Sequence, residues 1–305
     1  MSKRLSEEIG IKQSLIFSGG TGRSGTTIVA RLLSRHSAIT MAKPAEIKFL
    51  TSGNGLLDLS SGKRVGRYRR LLVTDRLHLE RFKYRLYRDW WIRDAKDGSK
   101  TGLSSGITKK ELDQIFAELK TNFEKDKQQA IQVFMNRYVN IQLGQSRGRI
   151  WIDTTPVNIF RAKEIAQLFP DAKFVHMIRD GRDVISSVIR ERWGPSSYEE
   201  GLLWYRKRML RNVQNVLELD GKVITIALED LVINDREMQL QKLLKFLKIK
   251  PEKKLIEFFN TVVLASSVSQ GRWRDEVDDV KKFNQSYADL LTELKELDPS
   301  LPLDI

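Results

Sequence analysis

Short apolar runs and longer amphipathic segments alternate along much of the chain. Apolar runs that end in glycine or polar residues predict buried strands, and these runs are QSLIFS (13–18), RIWID (149–153), AKFVHMI (172–178) and KVITIAL (222–228). Apolar residues three and four positions apart predict helices, and this spacing occurs at 28–36, 159–169, 183–193, 196–219 and 237–247. The alternation predicts an α/β fold, with a parallel sheet flanked by helices.

The segment from about residue 54 to 147 does not follow this alternation. It is basic and aromatic, and its amphipathic stretches predict a mostly helical insert with a Gly/Ser-rich break at 98–106. Residues 63–100 hold 13 Lys/Arg against 5 Asp/Glu, a large part of the chain's net charge of +14. We expect the insert to cover the ligand side of the sheet within one domain, 1–305.

Composition narrows the class of protein. The 305 residues are 41% apolar and 30% charged, which is typical of a globular protein. The chain has no cysteine, which excludes disulfides and thiolate metal sites. No apolar run reaches the roughly 18 residues of a membrane span, and residues 1–14 lack the apolar core of a secretory signal. We therefore expect a cytoplasmic protein. The positive charge favours an anionic partner, and nucleic acid, membrane, acidic polysaccharide and phosphorylated cofactor all stay open.

The segment GTGRSGTT (20–27) joins the first predicted strand to the first predicted helix. It follows the spacing of the nucleotide phosphate loop, G-x-x-x-x-G-K-[ST], with Gly20 and Gly25 as the glycines. Thr26 stands where that motif has its lysine. A glycine-rich loop that leads into a helix binds anions through backbone N–H groups. A plain turn is the alternative, but a segment made only of glycine, hydroxyl residues and arginine favours an anion site.

A second group of polar residues follows the strand 172–178. Arg179 stands at the end of that strand, and Ser187 lies eight residues later in the next predicted helix. Because ligands bind at the carboxyl ends of parallel strands, these two side chains can hold a second phosphate together. The alternative is a surface network of arginine and aspartate, in which Asp183 caps the helix and Arg182 is solvated.

Four ordered stretches resemble the sulfotransferases that use 3′-phosphoadenosine 5′-phosphosulfate (PAPS). TGRSGTT (21–27) is similar to their [PR]-[KR]-S-G-T-T motif, and IRDGRD (178–183) with Ser187 is similar to R-[DN]-x-[RK]-D-x-x-x-S. ALEDLV (227–232) and GRWR (271–274) resemble two further family motifs. The resemblance covers about 13–50 and 149–275, and it is closest to bacterial-type carbohydrate sulfotransferases.

The resemblance implies a phosphate-loop fold, a PAPS donor and a role for each matching residue. One set of residues would hold the 5′-phosphosulfate: Gly22, Arg23, Ser24, Gly25, Thr26 and Thr27. Arg179 and Ser187 would hold the 3′-phosphate, and Gly271, Arg272 and Trp273 would close over the nucleotide. A sulfuryl group carries less negative charge than a phosphoryl group, so Arg23 and backbone amides can replace the missing lysine. We therefore expect no metal.

The acceptor hydroxyl needs a general base, and KPAEIKFL (43–50) resembles the P-K-E-x-H-F-F segment of carbohydrate sulfotransferases. By this resemblance Glu46 is the catalytic base, with Arg23 at the sulfuryl oxygens, and Lys48 is a further catalytic candidate. A surface Glu–Lys pair is the alternative. His36 and His176 are interpreted as structural, and His78 lies in the insert.

Two positions depart from the family pattern. Thr154 replaces a lysine near the acceptor side, and Leu228 replaces a tyrosine near the adenine. Either change can alter acceptor choice or nucleotide affinity.

The expected reaction is in-line sulfuryl transfer to a hydroxyl, with a carbohydrate or glycolipid as the favoured acceptor and no nucleic acid as partner. A P-loop kinase-like phosphotransferase and a non-catalytic nucleotide- or polyanion-binding protein of the same fold are the alternatives. The basic insert has three open interpretations: an acidic acceptor surface, a solvated helical face, or a peripheral membrane contact.

Overall fold

A computed structural model describes residues 14–61, 74–94, 98–144, 148–219 and 221–303. Parts of the basic insert, 62–73 and 95–97, therefore lie outside the described residues. The strands are β1 (Ser14–Gly20), β2 (Ile39–Met41), β3 (Arg93–Asp94), β4 (Lys100–Thr101), β5 (Ile150–Asp153), β6 (Lys173–Ile178) and β7 (Val223–Ala227). Five of them form a parallel sheet in the order β2-β5-β1-β6-β7, and β3 pairs antiparallel with β4.

Helices cover both faces of the parallel sheet, which confirms the predicted α/β fold. In chain order they are α1 (Thr26–Leu33), α2 (Leu56–Ser61), α3 (Asp75–Arg88), α4 (Lys109–Asn122), α5 (Lys127–Gly144), α6 (Val157–Phe160), α7 (Ala162–Leu168), α8 (Gly181–Ile189), α9 (Tyr198–Leu217), α10 (Arg236–Leu247), α11 (Lys253–Thr261) and α12 (Val280–Leu297). Within the ranges described, no helix has both the length and the apolar character needed to cross a membrane.

The central position of β1 explains its continuous apolar sequence. Leu15, Ile16 and Phe17 are all buried, because helices cover both faces of the strand. β1 pairs with β5 on one side and with β6 on the other. The carboxyl ends of these three strands therefore meet at one edge of the sheet, where a doubly covered parallel sheet binds its ligands.

Alternate side chains of β1 enter different cores. Phe17 packs with Trp151 and Phe174 in a core that also contains the apolar side of the insert, including Phe82 and Phe134. Ile16 packs on the other face in a core with residues of α1, α10 and α11. A third core joins the end of β6 to α8, α9 and α12. The insert thus shares one continuous core with the sheet.

The structure corrects some of the predicted helix bounds. The helix predicted at 159–169 is two helices, α6 and α7, which meet at Arg161 with φ −122° and ψ 21°. The helix predicted at 183–193 begins at Gly181, because the Asp180 carboxylate accepts the backbone N–H of Arg182 and caps it. That helix ends at Ile189. The Gly/Ser-rich break at 98–106 contains β4 and a 3₁₀ turn, Leu103–Ser105.

Candidate functional site

The loop between β1 and α1 has a backbone that requires glycine. Gly22 and Gly25 have φ of 91° and 90°, and Arg23 between them has φ of 60°. A Cβ at Gly20 would lie 2.3 Å from the Met177 carbonyl oxygen, and one at Gly25 would lie 2.7 Å from Leu228 Cδ1. The loop is therefore held tightly against β6 and against the residue that follows β7.

The polar groups of this loop suit an anion. Ser24 Oγ is buried and has no hydrogen-bond partner among the described residues. No side chain among the described residues caps the N-terminus of α1 at Gly25, so the helix presents its first N–H groups and positive dipole end to the loop. Arg23 and Thr27 are exposed. A tetrahedral oxyanion fits the chemistry of this donor set.

Three predicted site residues from distant parts of the sequence meet beside the loop. Arg23 Nε donates to Ser187 Oγ at 2.8 Å. Arg179 Nη1 donates to the Arg23 carbonyl oxygen at 3.1 Å, and Arg179 Nη2 donates to the carbonyl of Ser269. Arg179 Nε is buried and has no hydrogen-bond partner in the described part of the chain. The side chains predicted for the two phosphate positions are thus neighbours.

The C-terminal segment is fastened to α8 next to this cluster. The backbone N–H of Gly271, which has φ of 72°, donates to Asp183 Oδ1 at 2.7 Å. Trp273 is buried against Phe283 in the third core, and the Arg182 guanidinium lies 4.6 Å from its ring centroid. Arg272 is exposed. Asp183 and Trp273 therefore fix the segment, while Gly271 and Arg272 lie at its turn.

Glu46 lies between two cations. Its carboxylate is 3.9 Å from Lys48 Nζ, and both side chains are partly exposed. Arg93 Nη2 donates to the Glu46 carbonyl oxygen at 3.0 Å. Burial, and then the nearby Arg93, lower the pKa of Lys48, whereas Glu46 raises it. Lys48 Nζ and the Arg93 guanidinium thus both lie near Glu46.

The end of β5 holds the segment that carries Glu46. The Asp153 carboxylate is fully buried and accepts the backbone N–H of Ile47 at 3.0 Å and Asn158 Nδ2 at 2.7 Å. It also accepts the N–H and hydroxyl of Thr155. Burial raises the pKa of Asp153 to about 6, against the effect of these donors. Thr154 donates its N–H and its hydroxyl to the Ala45 carbonyl oxygen.

The three histidines have other environments. His36 is buried and contacts the Lys250 carbonyl through Nε2 at 3.0 Å. His176 is buried within β6, where burial lowers its pKa to about 4. His78 is buried in α3, and burial lowers its pKa as well. All three side chains are thus buried.

Sequence reasoning missed three charged residues next to the site. Arg93 is one cation among many in the basic insert, so no local signal distinguishes it. Asp153 has a signal, since an acid directly after an apolar strand stands at the ligand edge of the sheet. Arg208 lies in the middle of α9, and its Nη1 donates to the Thr21 carbonyl oxygen at a distance of 3.4 Å. Only the fold reveals this contact. No set of three or more His, Asp or Glu suited to a metal occurs in the ranges that the structure describes.

Comparison with known proteins identifies the family of the chain. Residues 15–253 match the profile of the Sulfotransferase family. The chain is 23% identical over 273 residues to protein-tyrosine sulfotransferase 1 of Danio rerio, covering 88% of this chain and 62% of that protein. It is 22% identical over 244 residues to the protein-tyrosine sulfotransferase of Drosophila melanogaster, covering 77% of this chain and 38% of that protein. The chain thus spans less than two thirds of either relative.

Solved structures show the same fold. A sulfotransferase from Mycobacterium avium superposes with a TM-score of 0.51 at 16% identity, over 96% of this chain and 80% of that one. A sulfotransferase from Mycobacterium tuberculosis gives a TM-score of 0.50 at 14% identity, over 94% of this chain and 80% of that one. The family profile covers most of the chain and includes both the phosphate loop and the Arg179–Ser187 motif. The chain belongs to the sulfotransferase family.

Proposed function

We propose that this chain is a PAPS-dependent sulfotransferase that moves a sulfuryl group to an acceptor hydroxyl. One observation carries the proposal: Arg23, Arg179 and Ser187 converge beside a glycine loop whose buried Ser24 hydroxyl lacks a partner. The loop from Gly22 to Thr27 would hold the 5′-phosphosulfate. Arg179 and Ser187 would hold the 3′-phosphate, with the segment of Gly271, Arg272 and Trp273 closing beside them.

The residues at the site divide the work of the reaction. When bound, PAPS supplies the activated sulfuryl group. Arg23 and the N-terminus of α1 stabilise the oxygens of that group, because preorganised donors need no rearrangement as charge develops. Glu46 takes the proton from the acceptor hydroxyl as the new bond from oxygen to sulfur forms and the bond from sulfur to the phosphate oxygen breaks. Lys48 and Arg93 hold anionic groups of the acceptor near Glu46.

The acceptor we propose is a carbohydrate or glycolipid, because the Glu46 segment resembles that of carbohydrate sulfotransferases. A tyrosyl hydroxyl of a protein is the second candidate, and the similarity to two protein-tyrosine sulfotransferases favours it. The cations Lys48 and Arg93 suit an anionic acceptor of either kind. A cytoplasmic location, a peripheral membrane contact and the absence of a nucleic-acid partner stay predictions.

The donor site is tested by calorimetric titration with 3′-phosphoadenosine 5′-phosphate without magnesium. We expect wild type to bind and Arg179→Ala to bind at least about tenfold more weakly, because the variant loses a charged hydrogen bond to phosphate. Arg31→Ala is the matched control, since Arg31 is an exposed arginine in the last turn of α1.

Two results would contradict the donor site. Equal affinity of wild type and Arg179→Ala would remove Arg179 from it. No binding to wild type, together with binding of ATP and magnesium, would favour the phosphotransferase alternative. Binding without turnover on any acceptor would favour a non-catalytic protein of this fold.

A further inference from the structure

An exposed tryptophan packs beside a half-buried one after α8. Trp193 is 59% exposed, and its ring centroid lies 6.4 Å from that of Trp204 on α9, with the ring planes at 41°. Trp204 is half-buried. An exposed tryptophan supported by a second ring is typical of a binding surface, because tryptophan and arginine dominate the contact energy of many interfaces. We call Trp193, Trp204 and the neighbouring Arg208 the tryptophan platform.

The platform is connected to the phosphate loop through Arg208. The Arg208 guanidinium carbon lies 4.4 Å from the centroid of the Trp204 ring, and Arg208 Nη1 donates to the Thr21 carbonyl oxygen at 3.4 Å. Arg208 is half-buried, and this burial lowers the pKa of its guanidinium. A dehydrated cation interacts more strongly with an aromatic face. The platform is therefore continuous with the loop that carries Arg23.

The same loop faces the Glu46 side of the site through Pro156. A Cβ at Gly22 would lie 3.9 Å from the Pro156 side chain, and Thr154 donates to the segment that carries Glu46. The loop thus lies near Pro156, two residues after Thr154, which holds the segment of Glu46.

Three backbone N–H groups next to the platform already have acceptors. The N–H of Gly194 donates to the Glu191 carbonyl, the N–H of Ser196 donates to the Glu200 carboxylate, and the N–H of Gly201 donates to the Ser197 carbonyl. An extended peptide binds largely through main-chain hydrogen bonds to an open strand edge. The platform offers aromatic faces and a cation instead. A pyranose ring matches this set, because one face presents C–H groups and its rim presents hydroxyls.

We propose that Trp193 and Trp204, together with Arg208, form an acceptor subsite that holds a sugar ring beside the phosphate loop. The inference rests on the proposed function, which it deepens by naming a saccharide-binding surface. Trp193 supplies the open aromatic face, Trp204 fixes its position, and Arg208 aligns both with Thr21.

The test begins with a printed array of neutral and anionic oligosaccharides, probed with the labelled protein. The glycan bound most strongly is then titrated by calorimetry and by tryptophan fluorescence into wild type and variants. We expect Trp193→Ala to lose about tenfold in glycan affinity and Trp193→Phe to keep most of it, because phenylalanine retains an aromatic face. Leu203→Ala is the matched control, since Leu203 is 67% exposed beside Trp204, and its affinity should not change.

Each protein is also titrated with 3′-phosphoadenosine 5′-phosphate. Unchanged nucleotide affinity in Trp193→Ala, with lost glycan affinity, supports the subsite. Binding to no glycan on the array, or equal glycan affinity of wild type and Trp193→Ala, overturns it. If binding of a tyrosine-containing peptide requires Trp193 and binding of no glycan does, the proposal is also overturned, and the surface is assigned to a peptide. If wild type itself does not bind 3′-phosphoadenosine 5′-phosphate, the proposed function is refuted instead.

Discussion

At the residue scale, Glu46 is the side chain on which the proposed chemistry depends. Glu46→Gln keeps the shape of the side chain but cannot accept a proton. We expect turnover to fall by at least about 100-fold, the usual size of a general-base contribution, with nucleotide affinity unchanged. The measurement is release of 3′-phosphoadenosine 5′-phosphate from PAPS with the acceptor identified on the array. Glu80→Gln, an exposed glutamate on α3, is the control. Full turnover in Glu46→Gln would move the base elsewhere.

Asp153 gives a prediction about stability and pH. Its folded pKa is about 6 against an ordinary 3.8, so the native state binds the proton more tightly than the unfolded chain. Between about pH 4 and 6 this carboxyl therefore makes the free energy of unfolding decrease as pH rises, by up to about 3 kcal/mol. Asp153→Asn removes the titration. The free energy of unfolding of wild type minus that of the variant should fall over this window, as urea denaturation at a series of pH values would show.

The matched comparison for Asp153 is Asp289→Asn, which changes an exposed aspartate on α12. The same difference should be nearly flat for Asp289. A flat difference for Asp153 would mean that its four donors fully offset the cost of burying the charge. At any pH, Asp153→Asn should also loosen Ile47, since an amide cannot accept from all four donors.

At the scale of elements, the phosphate loop depends on Gly25. Alanine there must adopt φ of 90° and would place its Cβ 2.7 Å from Leu228 Cδ1. We expect Gly25→Ala to cost about 1–3 kcal/mol of stability and to weaken nucleotide binding at least about tenfold. Thermal denaturation and calorimetry measure the two effects. Gly144→Ala is the control, because nothing lies within 4 Å of a Cβ at that position. Wild-type nucleotide affinity in Gly25→Ala would show that the loop tolerates a side chain.

The elements near the site were predictable where local pattern determines them. The apolar run of β1, the glycines and the amphipathic α1 give a strand, a loop and a helix in the predicted order. The helix break at Arg161 was not predictable, because it depends on tertiary contacts. Arg161 Nη1 lies 2.8 Å from Asp58 Oδ1 on α2, and its Nε donates to Glu164. Periodicity within 159–169 carries no information about Asp58.

The site itself was predictable only as far as its motifs extend. Arg23 and Ser187 are 164 positions apart, and resemblance to a family placed them at one nucleotide before the structure showed the hydrogen bond between them. Arg93 and Arg208 belong to no motif. Their roles arise from β3 in the insert and from the middle of α9, whose positions relative to the loop depend on the packing of the whole chain.

At the scale of the whole molecule, the three cores explain how the parts stay together. One core joins the insert to a sheet face, one joins α1, α10 and α11 to the other face, and one holds the C-terminal segment against α8. Each part of the candidate site therefore depends on a different core. The loop depends on the second core, the Gly271 turn on the third, and the Glu46 segment on the first.

The shared first core makes a prediction about cooperativity. Phe82 on α3 is fully buried against Trp90, Phe116 and Phe134, and Phe134 in turn contacts Phe49 near the sheet. Phe82→Ala should lower the free energy of unfolding by about 3–5 kcal/mol. Because the insert and the sheet share this core, we expect unfolding to remain a single transition. Far-UV circular dichroism, tryptophan fluorescence and nucleotide binding should be lost together in denaturant.

Tyr84→Ala is the control that distinguishes the loss of a buried aromatic ring from the loss of any aromatic ring. Tyr84 lies on the same helix as Phe82 but is 58% exposed, so its removal should change stability by less than about 0.5 kcal/mol. If Phe82→Ala instead unfolds in two steps, with nucleotide binding kept after the first, the insert is a separate cooperative unit. A single transition for both variants means that the insert and the candidate site form one folding unit, so damage to the insert also weakens nucleotide binding.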